Sequence, residues 1–575
     1  MSSFTQNLCR SVQAPGVAKR YRDAGLGLAF ILLNQIILIP IQIGLDYCSI
    51  NIPASILIMI LLSAIMIISN RIYGGTTQFY AKHLRGPSDF LGRHMSFGFV
   101  ASFIMLNKDH VSNAIDIPRI AGAFIITSLV GCIGSAVIAS GCSKLESRLR
   151  GQRRVKVAED LESFNKSWPS PSTAWPAPSA EKSPMVIAEL SRVSESLAQN
   201  QSLLSMESVT QAPTGQFFDY IVRTGPTWIC IVLTITVGIP VYFATKYETP
   251  FEALCFILFW VLAVQFQRSL KRSCRLLQHP RLASTLVILA NPVLITWGLG
   301  TAYLWIKMAC TGHTIASVVV AFRRHNNLPE GIIAVAGGGG LASHIGAGDL
   351  AGPVLDAGIV CLGFKMFEYR SELWESFVTV VTTCALLAVA NVFLNVIVAH
   401  ALGLKAEDAI AFAARSVTIA LGAPAVQNLG GSTTLMSAMV IFSGIIFQMA
   451  GDWLFYVLRI NDRDDCRARG STKSQDSSSS SSIDKEKEKE KSAAPLLADE
   501  EKEARRNGGS DNSVLVSAGV TVGINAAAMG TAHLIERNSR ATAYSALSMT
   551  VFGAMTVALT AIPGVSEAII TLASR

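Results

Sequence analysis

The chain has 575 residues, of which 50% are hydrophobic and 15% are charged, against roughly 25% charged residues in ordinary globular proteins. This composition argues against a soluble multidomain enzyme and indicates that most of the chain lies in a membrane. The net charge of +8 comes largely from basic clusters beside apolar segments, where positive charge orients membrane spans and contacts anionic lipid. We therefore expect no nucleic-acid partner.

The N-terminal part contains three or four apolar stretches that predict membrane helices, because a helix satisfies its backbone polar groups within one segment. They cover residues 24–45, 52–69, 91–106 and 117–140, and the third is short and polar at its start. The basic residues between the second and third stretches and after the fourth fall on the side of the basic N-terminus. The positive-inside rule therefore predicts that the N-terminus and both long polar segments lie on the cytosolic or organelle-matrix side.

Two polar segments divide the chain. Residues 143–222 are rich in Pro and Ser, and residues 461–511 combine a serine run with DKEKEKEKEK, a composition that predicts disorder. We predict a first membrane domain at 1–142, a linker at 143–222, a second membrane domain at 223–460 and 512–575, and a disordered insertion at 461–511. The fold class is an all-α polytopic membrane protein with about 11 or 12 spans and broken or re-entrant segments.

Catalytic and metal-binding motifs are absent from the sequence. There is no G-x-S-x-G, H-E-x-x-H or G-x-x-x-x-G-K-[ST], and the 11 cysteines are scattered without a C-x-x-C pair. We expect neither an enzyme nor a cofactor or metal site. The classes of protein that the sequence does not exclude are a gradient-driven carrier, an exchanger, a pore and a scaffold.

The first polar motif at membrane depth is GGGGLASHIGAGDLAGPVLDAG at 337–358. Four consecutive glycines each cost about 1 kcal/mol against alanine in a helix, and Pro353 removes a backbone hydrogen bond, so we expect the helix to break or kink. Asp349 and Asp356 would share one face of a helix that continued through Pro353. Each would cost about 2.5–3.5 kcal/mol at a helix centre, so such groups normally face a cavity. The alternative is a glycine-rich packing face with Asp349 as a helix cap.

The second motif is ARSVTIALGAPAVQNLGG at 414–431. Arg415, Ser416 and Thr418 offer a cation and two hydroxyls near a helix that we expect Pro424 to interrupt, and such groups bind carboxylates. Alternatively, the arginine extends to the lipid headgroups or offsets a buried acid. The similarity between GPVLDAG at 352–358 and APAVQNLG at 423–430 suggests an inverted repeat in the second domain.

The third motif is GVTVGINAAAMGTAHLIERN at 519–538. Asn525 and Thr531 are polar among small residues that let helices approach closely, so the alternative to a binding role is hydrogen-bonded packing.

In this order the three motifs resemble the LrgB/CidB family of multi-pass membrane proteins. The family's G-P-A-T-V-A-L-A-x-P-L-Y is similar to residues 352–369, its P-K-S-V-T-T-P to residues 414–420, and its G-x-A-x-G-T-A-S-H-x-x-G-T-A to residues 519–532. The flanking prolines of the second motif are Ala414 and Ala420 here. The family histidine falls on Ala527, and Asp356 stands where the family has a small or apolar residue.

Residues 50–67 and 90–106 are similar to the shorter LrgA/CidA family. A fusion of both halves is the arrangement of the plant plastid glycolate/glycerate translocator type, and this chain looks like a fungal-type relative. The fusion implies transport of small carboxylates, whereas the separate bacterial proteins are described as holin/antiholin-like modulators of lysis.

We therefore predict a membrane transporter of small monocarboxylates such as glycolate and glycerate, working by exchange or proton coupling. The alternatives are a holin/antiholin-like pore or regulator of membrane permeability, and a scaffold. The predicted partners are the small carboxylate and the lipid bilayer, and a homo-oligomer is also open. The candidate substrate-binding residues are Arg415, Ser416, Thr418, Asn428, Asn525 and Thr531. The candidate proton-coupling or counter-ion residues are Asp349 and Asp356. The candidate helix breaks are Gly337, Gly338, Gly339, Gly340, Pro353 and Pro424.

Overall fold

A computed structural model of the chain is built from α-helices, and no β-strand occurs in the residues it describes. The described residues are 15–48, 53–105, 116–167, 221–222, 224–273, 286, 290–325, 328–336, 344–457, 494–537 and 539–574. The helices are α1 (Pro15–Tyr47), α2 (Ala54–Ile72), α3 (Thr76–Phe79), α4 (Arg85–His94), α5 (Phe97–Ile104), α6 (Asp116–Ser167), α7 (Gly225–Leu233), α8 (Ile239–Thr245), α9 (Thr249–Ser273), α10 (Pro292–Thr311), α11 (Ile315–Phe322), α12 (Leu328–Ala336), α13 (Gly352–Glu368), α14 (Arg370–Glu375), α15 (Phe377–Ala401), α16 (Ala406–Ala411), α17 (Ile419–Asn428), α18 (Thr433–Val457), α19 (Ala494–Glu536), α20 (Ala541–Thr560) and α21 (Pro563–Ser574).

Eleven helical segments among the described residues are long and apolar enough to cross a bilayer. They are Val17–Leu45, Ala54–Ile72, Asp116–Glu146, Gly225–Thr245, Thr249–Leu270, Pro292–Thr311, Ala347–Glu368, Phe377–Ala401, Thr433–Gly451, Ser513–Glu536 and Ala541–Thr560. This result confirms the prediction of an all-α polytopic membrane protein.

The predicted span at 91–106 is not one of these eleven segments. The chain there forms two short helices. The first, α4, ends just before Met95, and the second, α5, begins just after Ser96. A π-helical turn at Tyr80–Leu84 precedes α4. The polar start of this stretch belongs to α4, and the largely apolar α5 has only eight residues, too few to cross the hydrocarbon layer.

The parts of the two polar segments that the structure describes are helical. Residues 143–167 continue α6, and residues 494–511 form the first part of α19. Residues 168–220 and 461–493, which make up the rest of the predicted linker and insertion, lie outside the described residues.

By spatial contact the chain divides into two units. One comprises residues 1–22 and 148–229, and in it the Tyr21 hydroxyl donates a hydrogen bond to the Val222 carbonyl oxygen at 2.7 Å. The other comprises residues 23–147 and 230–575. Each contact discussed below lies within this second unit, which joins helices of the first half to those of the second.

Glycines allow helices of the two halves to approach closely. A Cβ atom at Gly363 of α13 would lie 2.5 Å from the Met59 carbonyl oxygen of α2, and one at Gly98 of α5 would lie 2.4 Å from the Leu355 Cβ atom. Such close contacts at glycines are typical of membrane helices, where van der Waals packing contributes much of the association.

Burial differs strongly among the spans. Most residues of Ser513–Glu536 and Ala541–Thr560 are buried, whereas the segment Gly225–Thr245 exposes most of its side chains. Apolar side chains such as Val232, Ile235 and Phe243 are exposed on that segment. Exposed apolar side chains suit a lipid environment. The buried spans α19 and α20 instead form the core of the protein, and the candidate site described below is built around this core.

We expect Gly363→Ala to lower the thermal stability of the purified protein, because the added methyl group meets backbone that cannot rotate away. Overpacking of this kind costs about 1–3 kcal/mol. Gly352→Ala in the same helix is the matched control, since nothing lies within 4 Å of its added Cβ atom. Tryptophan fluorescence during heating in detergent measures both midpoints, and equal midpoints would contradict the close contact of α13 with α2.

Candidate functional site

Arg415 lies in a break between two short helices. After α16 the chain forms a 3₁₀ turn at Phe412–Ala414, and α17 does not begin until Ile419. Residues 415–418 are therefore outside regular helix.

The predicted break at Pro424 differs from the structure, because α17 continues through this proline. A proline inside a helix removes one hydrogen bond, and neighbouring helices can compensate this loss in a membrane protein. Pro353 likewise does not interrupt a helix. It occupies the first turn of α13, where a backbone N–H has no helical partner in any case. Gly337, Gly338, Gly339 and Gly340 lie outside the described residues.

The guanidinium of Arg415 is deeply buried, since only 1% of the residue is exposed. Its Nη1 atom donates to Ser128 Oγ at 3.2 Å, and its Nη2 atom donates to the Thr127 carbonyl oxygen at 2.5 Å. Both acceptors belong to α6 of the first half. The Nε atom has no hydrogen-bond partner.

Among the described residues, no acidic side chain forms an ion pair with Arg415. Removing an ion from water costs several kcal/mol even after relaxation of the surroundings, and two neutral acceptors do not supply the missing negative charge. The arrangement therefore favours binding of an anion at the guanidinium.

The residues that follow Arg415 add donors at the beginning of α17. Ser416 and Thr418 are buried, and the Thr418 hydroxyl has no hydrogen-bond partner. Thr418 is the N-cap of α17, but its side chain does not cap the helix. The positive end of the α17 dipole lies here, which favours a negative charge.

Asn525 of α19 approaches the same place from another helix. Its Nδ2 atom donates to Ser135 Oγ at 2.8 Å, to the Thr521 carbonyl oxygen at 2.9 Å and to the Gly131 carbonyl oxygen at 3.5 Å. Three acceptors around Nδ2 fix the orientation of the amide. The Oδ1 atom is buried and has no partner.

Arg415 and Asn525 converge on Gly131 of α6. A Cβ atom at this glycine would lie 2.5 Å from Arg415 Nη2 and 2.7 Å from Asn525 Oδ1. The structure thus brings together two residues that are far apart in the sequence, and a helix of the first half lies directly against both.

Helix α19 is broken near this place as well. Ala527 has φ 46° and ψ −137°, a conformation that alanine rarely adopts. The Thr531 hydroxyl donates to the Ala527 carbonyl oxygen at 2.9 Å and shares a hydrogen bond with Ser545 Oγ at 2.8 Å. These contacts place Thr531 beside the break and hold it there. Backbone strain of this kind clusters at functional sites.

Asn428 lies away from this group. It is exposed at the C-terminal end of α17, ten residues beyond Thr418, which corresponds to about 15 Å along a helix. The structure therefore does not bring Asn428 to the N-terminus of α17, where Arg415 lies.

The two candidate aspartates have different surroundings, and neither pairs with Arg415. The buried Asp349 carboxylate accepts backbone hydrogen bonds from Gly346 at 2.8 Å and from Arg324 and His325 at 3.3 Å each. These contacts hold a loop together. Asp349 lies in the 3₁₀ turn Ala347–Ala351, whereas Asp356 lies in α13, so the helix that would put both on one face does not form.

Asp356 lies beside Ser55 of α2 and Gln35 of α1, with the charge of Arg323 nearby. Gln35 is buried. Asp356 is therefore part of a polar group built from both halves of the chain.

Sequence reasoning missed the residues of α6 that contact the site. The sequence does contain a signal for them, because small residues recur at every fourth position of α6. They form one face of the helix, and all of them are buried. These residues are Ala123, Thr127, Gly131, Ser135 and Ala139. Such a stripe predicts close helix packing, but it does not identify the packing partner.

Among the described residues, no group of three or more His, Cys, Asp or Glu side chains is arranged to hold a metal ion. The unpartnered donors of Arg415 and Thr418 can form hydrogen bonds with an anion.

These features define a polytopic helical membrane protein in which a buried arginine, without an acidic partner, lies at a helix break. The model of the LrgB-like family matches residues 257–478 and 513–563 of the chain. The second half therefore contains a region similar to that family, and it includes Arg415, Thr418 and Asn525.

Similar curated proteins include the Holin-like protein CidB of two Staphylococcus epidermidis strains, 28% identical over 120 residues, which is 21% of this chain and 51% of that protein. The Holin-like protein CidB of a Staphylococcus aureus strain is 24% identical over 119 residues, again 21% of this chain and 51% of that protein. The chain thus spans about half the length of these relatives. No solved structure matches the chain.

We expect Arg415→Met to leave the thermal midpoint of the protein, measured in carboxylate-free buffer, unchanged or higher. The substitution removes a buried charge that has no acidic partner and keeps most of the side-chain volume. Lys307→Met is the matched control, because Lys307 pairs with Glu248 and the buried Glu252. It should lower stability by about 3 kcal/mol, since the buried Glu252 then loses its cationic partner and keeps only the Tyr303 hydroxyl. An equal loss in both variants would show that Arg415 has an acidic partner.

Proposed function

We propose that the protein belongs to the LrgB-like family and carries small monocarboxylates of the glycolate and glycerate type across a membrane, by exchange or proton coupling. The observation that carries the proposal is the buried Arg415 guanidinium without an acidic partner. A transported carboxylate supplies the missing charge and is released when the conformation changes.

The groups around Arg415 suit one end of such a substrate. The Nε atom of Arg415 and the hydroxyl of Thr418 are unpartnered donors, and the α17 N-terminus adds a favourable dipole. Hydrogen bonds from a guanidinium to a carboxylate are roughly twice as strong as neutral ones. Ser416, which lies between these two residues in the chain, is buried as well.

The other end of the substrate is suited to Asn525. Its Oδ1 atom is an unpartnered acceptor on the same side of Gly131 as the Arg415 guanidinium. An acceptor next to a cation favours a 2-hydroxy acid over a plain carboxylate, because the hydroxyl then has a partner. A site built to accept a hydroxyl rejects the analogue that lacks one, since the acceptor stays buried and unpaired.

For a proton-coupled cycle, the group around Asp356 is the better candidate than Asp349. Three backbone N–H groups already occupy the Asp349 carboxylate and hold it in a loop. Asp356 instead lies beside the Ser55 hydroxyl and the Gln35 amide, which can accept or donate a hydrogen bond as the carboxyl group changes state.

The basic N-terminal segment and the polar segments around 143–222 and 461–511 are assigned to the cytosolic or organelle-matrix side in this proposal, because their flanking lysines and arginines follow the positive-inside rule.

The names of the similar proteins favour a second candidate function, a holin-like pore or regulator of permeability. A carrier binds one substrate at a time and saturates, whereas a pore lets unrelated solutes pass. The deep burial of Arg415 supports the carrier, because a water-filled pore would expose the charge that lines it.

The test is uptake of labelled glycolate by proteoliposomes that contain the full-length protein. The vesicles are preloaded with unlabelled glycolate, glycerate, acetate or no carboxylate, and a parallel set contains an entrapped dye. We expect saturable uptake that is faster with internal glycolate or glycerate than with acetate, and no loss of dye. Dye loss without selectivity would favour the pore.

We expect Arg415→Gln to raise the half-saturating glycolate concentration about 10- to 150-fold, because a hydrogen bond from a charged group contributes about 1.5–3 kcal/mol. Arg119→Gln is the matched control. Arg119 lies on α6, is half exposed, and contacts Asp116 and the Gly403 carbonyl oxygen. Unchanged affinity in Arg415→Gln would exclude this residue from the carboxylate site.

A further inference from the structure

Helix α6 of the first half forms hydrogen bonds with the second half at both ends of its membrane span. Arg119 donates to the Gly403 carbonyl oxygen just beyond α15 at 3.3 Å. At the other end, the Glu146 carboxylate accepts hydrogen bonds from the backbone N–H and the hydroxyl of Thr379, near the start of α15. The two helices therefore run antiparallel.

The two long faces of α6 differ. The buried face is the stripe of small residues described above. The opposite face is apolar and exposed, and it comprises Ile125, Ile126, Leu129, Val130, Ile133 and Val137. In a bilayer this second face meets lipid, so α6 is the helix that separates Arg415 from the hydrocarbon layer.

The contact of α6 with Arg415 has the form of a carboxylate complex. Ser128 Oγ and the Thr127 carbonyl oxygen are bound to Nη1 and Nη2, the two terminal nitrogens of the guanidinium. A carboxylate that binds arginine end-on places its two oxygens on the same two nitrogens. The α6 oxygens carry no formal charge, so they satisfy the donors without neutralising the cation.

We propose that Thr127 and Ser128 stand in for the carboxylate of the substrate in the anion-free protein, and that a carboxylate binds Arg415 by displacing them. This inference rests on the proposed function of Arg415. It makes two residues of the first half part of the anion site, where they act as internal competitors of the substrate.

The direction of the effect follows from this competition. Ser128→Ala removes one acceptor and leaves a charged donor of Arg415 unsatisfied in the empty protein. The empty state rises in free energy while the carboxylate-bound state, in which Ser128 is displaced, does not. The carboxylate therefore binds more tightly to the variant than to the wild type.

We expect Ser128→Ala to lower the dissociation constant for glycolate about 5- to 30-fold, measured as equilibrium binding to the purified full-length chain. Ser128→Thr retains a hydroxyl and should bind like the wild type. Ser140→Ala is the matched control, because Ser140 lies on α6 and donates to Ser517 Oγ instead of contacting Arg415. A glycolate-dependent rise in the thermal midpoint gives an independent measure of the same affinities.

Weaker or unchanged binding in Ser128→Ala would overturn the inference, since a residue that binds the substrate directly or only supports the fold does not tighten binding when truncated. The two proposals fail in different ways. If the wild type does not bind glycolate, or if Arg415→Gln binds it equally well, the proposed function is wrong. If binding depends on Arg415 but Ser128→Ala does not tighten it, only the role of α6 is wrong.

Discussion

The buried charge of Arg415 is the constraint on which the arrangement of the site depends. An arginine with 1% exposure is destabilising unless its donors and its charge are compensated, and the described surroundings compensate only two of the donors. The break at 415–418 keeps the side chain out of regular helix and gives it an adjacent helix N-terminus. The second break, at Ala527 of the most buried span, lies two residues from Asn525, which approaches Arg415 at Gly131.

The first half of the chain takes part in this arrangement. Its helix α6 supplies the oxygens that Arg415 contacts, and Gly131 is small enough to let the guanidinium and the Asn525 amide meet the backbone. Helix α2 packs as closely on α13 through Gly363. Two segments that are separated by a long polar linker in the sequence therefore build one compact unit, and the candidate site lies where they meet.

The sequence was sufficient to predict the polytopic helical class, because hydropathy over about 20 residues measures the property that inserts a helix into a bilayer. It also singled out Arg415, Thr418 and Asn525, since polar side chains in apolar runs are conspicuous. It could not predict that α6 contacts Arg415, because this contact depends on tertiary packing. The break was expected at Pro424, the residue with the strongest local signal, whereas the structure breaks at 415–418 and at Ala527, where no proline or glycine marks the position.

Equilibrium binding tests most directly whether Arg415 binds a carboxylate. Labelled glycolate is titrated into the purified full-length protein and into Arg415→Met, whose stability we expect to be intact. We predict saturable binding to the wild type that unlabelled glycerate displaces, and no saturable binding to the variant. Equal saturable binding to both proteins would contradict it.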